Sequence, residues 1–250
     1  MTTRIWIWLM PVLAATAVYG CATRAPWPHA AGQHAVRFER SVRETVAGRM
    51  LLYLPRNFRS DSGKKYPLLV FLHGSGEIGV DIELIKKHGP PQWLETRTDF
   101  PFIVASPQSP LPEVRGFDPH MLDAMLDELL ERLPIDRDRV YLTGLSLGGI
   151  WSYGWAALRP ERFAAIVPMS GRWDTEDACR LKDVPVWAFH GELDDAVPLA
   201  GDSAMVDAVN RCGGQAKLTV FPGEGHEIWE HAYADPALYA WLLAQRRAKR

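Results

Sequence analysis

The sequence predicts an α/β protein: a doubly wound, mostly parallel sheet with helices on both faces. Three observations predict it. First, continuous apolar runs of strand length recur, as in Tyr66-Pro67-Leu68-Leu69-Val70-Phe71-Leu72. A run without polar alternation is a strand buried on both faces. Second, segments with helical periodicity lie between such runs. Leu122, Met125, Leu126, Leu129, Leu130 and Leu133 fall at helical spacing, with acids on the other face. Third, glycine-rich loops bearing Ser, His or Asp follow several of the runs. Strands alternating with helices form parallel βαβ units with right-handed connections. Ligand sites on such a sheet lie at the carboxyl ends of the strands.

Each element follows from local pattern. The β-rich stretches 36–42 and 50–54 predict an opening antiparallel pair. Residues 66–72 and 102–105 are buried strands. The helix at 121–133 is stopped by Pro134. Residues 139–143 form a strand running into Gly144, and 150–158 the next helix, ended near Arg159-Pro160. Strands follow at 163–169, 184–189 and 217–221. A helix at 203–210 is closed by Gly213-Gly214, and 237–247 is a final helix.

The chain has 250 residues, 47% hydrophobic and 23% charged, with a formal net charge of −2. This describes a folded globular chain. The near-neutral balance argues against a nucleic-acid binder, which would show a strong basic excess. Its basic cluster, Arg246-Arg247-Ala248-Lys249-Arg250, suits the carboxyl end of a helix. No repeat of solenoid or propeller period is visible.

Residues 1–20 read as a leader. Arg4 supplies a positive start, and an apolar run follows at 5–19. That run is short beside the roughly 20 residues of a bilayer span and ends among small residues, the layout of a secretory signal. Val18-Tyr19-Gly20-Cys21 resembles a bacterial lipobox, which implies a lipidated Cys21 as first mature residue and a cell-envelope location facing the periplasm or exterior. Plain secretion and an uncleaved anchor are the other readings. Residues 21–33 read as a tether, and 34–250 as the folded domain. Cys179 and Cys212 remain; an oxidising compartment permits a bridge between them, and two buried thiols are the alternative. No Cys/His spacing matches a zinc site.

Four strand ends carry chemical groups. Gly144-Leu145-Ser146-Leu147-Gly148 is a G-x-S-x-G elbow, in which a sharp turn exposes the serine hydroxyl above the sheet. His73-Gly74-Ser75-Gly76 follows the 66–72 strand. Its backbone can supply one oxyanion donor, from Ser75 or the neighbouring Gly76, and the N–H of Leu147 the other. His73 reads as a brace for that loop. After the 184–189 strand, Asp194 and Asp195 compete as the acid. After the last strand, Gly225-His226 offers a base.

Taken together, the sequence resembles the α/β-hydrolase superfamily. More narrowly, it is similar to bacterial secreted hydrolases of the predicted-peptidase and phospholipase/carboxylesterase-like kind, relatives of polyhydroxybutyrate depolymerases. The residues carrying this are 71–77 (FLHGSGE), 86–91 (KKHGPP), 102–108 (FIVASPQ), 143–149 (TGLSLGG), 186–191 (VWAFHG), Val197-Pro198 and Gly225-His226, in order along most of 66–245. The resemblance implies an α/β-hydrolase fold without a large cap domain and the catalytic order Ser146, Asp194, His226. Its H-G-x-x-D-x-x-V-P pattern favours Asp194 over Asp195. Leu147 stands where Met is common, Phe117 where Trp is common, and the nucleophile is Ser, unlike the Cys of dienelactone hydrolases.

The implied chemistry is carboxylic-ester cleavage through an acyl-enzyme, with neither metal nor organic cofactor. A peptidase or acyltransferase would use the same residues. A non-catalytic envelope binding lipoprotein is the reading from another class. Phe117, Trp151, Trp173 and Trp229 are candidate walls of a substrate pocket, with core packing as the alternative for each.

Overall fold

The computed structural model describes residues 27–41, 45–110 and 116–247. The leader, Cys21, the first part of the tether and the last three residues lie outside the described residues. Eight strands form one sheet: β1 (Gly32–Ser41), β2 (Thr45–Leu54), β3 (Tyr66–Leu72), β4 (Ile103–Pro107), β5 (Ile135–Leu145), β6 (Ala165–Met169), β7 (Val186–Gly191) and β8 (Ala216–Phe221). Their order is β1-β2-β4-β3-β5-β6-β7-β8. The β1–β2 and β2–β4 pairs are antiparallel and the rest parallel. The opening pair is longer than its apolar pattern predicts, because residues 45–49 are largely exposed and carry little hydrophobic signal.

The helices are α1 (Gly89–Trp93), α2 (Pro119–Arg132), α3 (Leu147–Leu158), α4 (Ala200–Arg211), α5 (Trp229–Ala234) and α6 (Pro236–Ala244). The short α1 and α5 were not predicted; five or six residues carry too few turns for periodicity to register. The last helix ends at Ala244, three residues before the predicted end. There the Tyr141 hydroxyl donates to the Gln245 carbonyl. Arg246 and Arg247 instead pair with Asp136 and Asp138 on β5, so the basic cluster begins as a clamp on the sheet.

Pleating sends alternate β3 residues to opposite faces. Leu68, Val70 and Leu72 join a core with Met125, Leu129, Trp155 and Met205 from α2, α3 and α4. Leu69 and Phe71 join the opposite core with Tyr233, Leu238 and Leu242 from α5 and α6. β3 therefore lies between two apolar layers, with every residue buried. The chain turns to β4 on one side of β3 and to β5 on the other. The carboxyl ends of β3 and β5 thus flank the point where strand order reverses, where sheets of this kind hold their ligands.

Cys179 and Cys212 form a disulfide with Cα atoms 5.2 Å apart. It ties the helical turn Thr175–Leu181 to the end of α4. Closing a loop of this size removes chain entropy worth about 3–4 kcal/mol.

His73, directly after β3, is 1% exposed. Its Nδ1–H donates to the Gly74 carbonyl at 2.7 Å, and its Nε2 accepts the Ser109 N–H at 3.0 Å. The ring thus pins the loop after β3 to the loop after β4, as a neutral imidazole. Burial pushes its pKa down from 6.5 to about 4, against the opposing bond to Gly74. A group with a depressed folded-state pKa binds fewer protons folded than unfolded. Its contribution is whole above pH 6.5 and is lost as pH falls toward 4, roughly 3 kcal/mol in all. Urea titrations should show wild-type stability dropping through that window and a shallower drop in His73→Gln. Equal slopes in the two proteins would contradict this account of the brace.

Candidate active site

Ser146 links β5 to α3 with φ 52° and ψ −115°. A non-glycine residue rarely adopts this backbone, which costs about 1–3 kcal/mol and persists where surroundings enforce it. The enforcement is visible. The Ser146 N–H donates to the Met169 carbonyl at 2.9 Å, and its own carbonyl accepts the Ile150 N–H at 2.9 Å. A Cβ at Gly148 would overlap the carbonyl oxygen of Leu72, so only glycine lets α3 pass against the end of β3. The hydroxyl is thereby raised above the sheet at the strand-order reversal.

The structure brings Ser146, His226 and Asp194 together. The Ser146 hydroxyl donates to His226 Nε2 at 2.8 Å. His226 Nδ1–H donates to Asp194 Oδ2 at 2.7 Å. Asp194 Oδ1 accepts the N–H groups of Ala196 and Val197 at 3.0 and 2.8 Å. Asp195, the competing acid, is exposed. Burial pushes the Asp194 pKa up, but the His226 bond, the Val197 N–H and the charges of His226 and His190 outweigh it and hold it below the usual carboxylate range. The side chain of Asp194 is fully buried, and that of His226 is 20% exposed. The proton-accepting ring therefore meets solvent while its orienting carboxylate does not.

Two backbone details bring the His226 loop over Ser146. A Cβ at Gly191 would overlap the Gly225 carbonyl, so the loops after β7 and β8 can touch. The Ser170 hydroxyl donates to the His226 carbonyl at 2.9 Å. Ser170 itself has φ 47°, and with Ser146 it is one of two described non-glycine residues at positive φ.

Leu147 is the first residue of α3, so its N–H has no acceptor within the helix. Ser75, which is exposed, opens a short helical turn after Gly74. Both sit beside the Gly148–Leu72 contact that joins the two strand ends. Among the four aromatic candidates, Trp229 meets the site, its ring edge-on to His226 at 5.4 Å and to His88 at 5.6 Å. Phe117 is 1% exposed and packs on His73, beneath the loop and not on an open wall. Trp151 and Trp173 pack on each other at 5.9 Å against the core beside α3. Trp173 also donates to Asp177.

Sequence reasoning gave no role to His190 or Asp202, which the structure places directly behind Asp194. His190 Nδ1 is 2.6 Å from Asp202 Oδ2, and its Nε2 is 3.1 Å from Asp194 Oδ2. A signal was present. Asp202 occupies the same helical stripe as Met205, Val206 and Val209, and a carboxylate in an apolar stripe requires a partner. Among the described residues, no group of three or more His, Cys, Asp or Glu side chains is placed to hold a metal ion.

A family model described as phospholipase/carboxylesterase matches residues 118–237. The chain is 28% identical over 210 residues to the probable feruloyl esterase C of Aspergillus terreus, covering 76% of each chain. It is 28% identical over 161 residues to a bifunctional acetylxylan esterase/xylanase of Neocallimastix patriciarum, covering 62% of this chain and 23% of that protein. A solved thermostable esterase superposes with a TM-score of 0.72 at 30% identity, covering 85% of this chain and 63% of the esterase. The chain thus spans less than two thirds of the length of two of these three relatives. Strand order, elbow and relatives agree on one conclusion: the chain has the α/β-hydrolase fold.

Proposed function

We propose that the protein is a serine hydrolase that cleaves carboxylic esters through an acyl-enzyme. The observation that carries the reading is the unbroken hydrogen-bonded line from Asp194 through His226 to Ser146, set above a strained elbow. Its geometry suits general-base activation of a hydroxyl nucleophile. His226 Nε2 takes the Ser146 proton as Oγ attacks the ester carbonyl. Asp194 fixes the ring with Nδ1 protonated and offsets the imidazolium charge. The N–H groups of Leu147 and Ser75 donate to the oxyanion of the tetrahedral intermediate; losing one such donor costs about 3–4 kcal/mol of barrier. His226 returns the proton to the departing alcohol, then activates the water that releases the acid.

Trp229, edge-on to His226 but buried in the apolar layer, packs behind the ring and does not form an open wall. The esterase names of the relatives support an ester over an amide, with acetyl and feruloyl esters as the first substrates to test. Residues 1–21 are part of the same reading: Cys21 carries lipid and tethers the enzyme at a bacterial cell envelope.

Ser146→Ala should lower kcat/KM on a nitrophenyl ester by about 10³-fold or more while the circular dichroism spectrum is unchanged. Undiminished turnover would refute the assignment. In a panel of acetyl, feruloyl and hydroxyalkanoate esters beside matched anilides, the esters should be turned over far faster. Anilide cleavage at a comparable rate would point to a peptidase instead. The mature protein from a bacterial host should begin at Cys21 with added acyl mass, and an unmodified amino terminus there would overturn the anchoring.

A further inference from the structure

We infer that His190 is a positioning residue: a buried imidazolium that bridges Asp202 to Asp194, its charge resting on the same oxygen that orients His226. The inference rests on the reading of Ser146, His226 and Asp194 given above and extends it one layer inward.

The donors and charges around the ring favour the cation. His190 is wholly buried, at 0% exposure. Its Nε2 faces the Val197 carbonyl at 2.8 Å and Asp194 Oδ2 at 3.1 Å. A carbonyl and a carboxylate held below its usual pKa have no proton to give, so Nε2 must carry one. Its Nδ1 faces Asp202 Oδ2 at 2.6 Å. That oxygen also accepts the Gly171 N–H at 3.1 Å, and Oδ1 accepts the Tyr153 hydroxyl at 2.6 Å. Burial pushes the Asp202 pKa up, but the neighbouring His190, the Tyr153 hydroxyl and the Gly171 N–H all act to hold it as the carboxylate, and Nδ1 then carries the second proton. Burial opposes the charge, but the Asp202 bond and charge, the Val197 carbonyl and the Asp194 charge together raise the His190 pKa.

The groups facing this ring come from every element packed around it. Asp202 comes from α4, and Asp194 and Val197 from the loop after β7. Tyr153 on α3 and Gly171 after β6 reach it through Asp202, and His226 reaches it through Asp194 Oδ2. Glu192 and Asp195, neighbours in the same loop, are exposed. Inward from the hydroxyl the groups run imidazole, carboxylate, imidazolium, carboxylate.

Two consequences follow. The His190 contact fixes Asp194 Oδ2 in place under His226. Its positive charge also lies against the oxygen that His226 shares, so a change in the charge of His190 is felt at His226.

The experiment uses the full chain. In histidine-labelled wild-type protein, nitrogen NMR should show His190 with both ring nitrogens protonated at pH 7, above the ordinary histidine value; a bare nitrogen at pH 7 overturns the inference. This measurement needs no variant and no activity. In Asp202→Asn, which keeps shape and removes the charge that holds the proton, His190 should lose one proton by neutral pH. The acid limb of kcat/KM should then move up by roughly half a pH unit to one unit. A fall in activity with the midpoint unmoved would mark the network as structural only and overturn the inference. If wild-type His190 is an imidazolium but Ser146→Ala still turns over ester, the reading of the reacting residues fails and the buried network stands.

Discussion

The backbone at Ser146 is the constraint on which the rest of the structure depends. A serine held at φ 52° is stable only if both flanks are fixed. The Met169 carbonyl fixes one flank by taking the Ser146 N–H. The contact of Gly148 with the end of β3 fixes the other. The second contact does more than hold the turn. It brings the start of α3 and the loop after β3 side by side. Strand order does the same for the remaining groups, since β7 and β8 follow β6 in the sheet and deliver Asp194 and His226 to the serine.

Burial alone does not decide the charge of a histidine here, and two rings make the comparison. His73 and His190 are both almost fully buried. His73 has only backbone partners, one of which is a donor, and desolvation prevails: the ring is neutral and braces a loop. His190 lies between two carboxylates with acceptors at both nitrogens, and their attraction prevails over desolvation. The same residue type thus performs a neutral structural task on one side of Ser146 and, by the inference drawn above, a charged positioning task on the other.

Much of this was legible in the sequence, for physical reasons that differ by element. The 66–72 strand was readable to the residue, because burial on both faces leaves an unbroken apolar run ended by glycine-rich sequence. The elbow was readable because its close passage against β3 requires Gly144 and Gly148, and the loop of the base because its touch on the loop after β7 requires Gly191 in the His190-Gly191 pair. The 45–49 part of the opening hairpin and the short α1 and α5 were not, since exposure and brevity erase periodicity. Residue pattern left Asp194 and Asp195 open, and the resemblance favoured the first; in the structure Asp194 is buried and bonded to His226, while Asp195 faces solvent. Aromatic composition could not separate Trp229, which lies in the core but meets His226, from Phe117, which lies in the other core and meets His73. That distinction depends on side-chain direction, which a residue list does not carry.

The central claim is that the fold activates one serine through one imidazole. The most direct measurement is the rate of labelling by a fluorophosphonate as a function of pH, with the adduct mapped by peptide mass spectrometry. The account predicts a single adduct on Ser146 whose rate falls about tenfold per pH unit once His226 becomes protonated. An adduct on another serine, or a Ser146 rate indifferent to acidification, would contradict it.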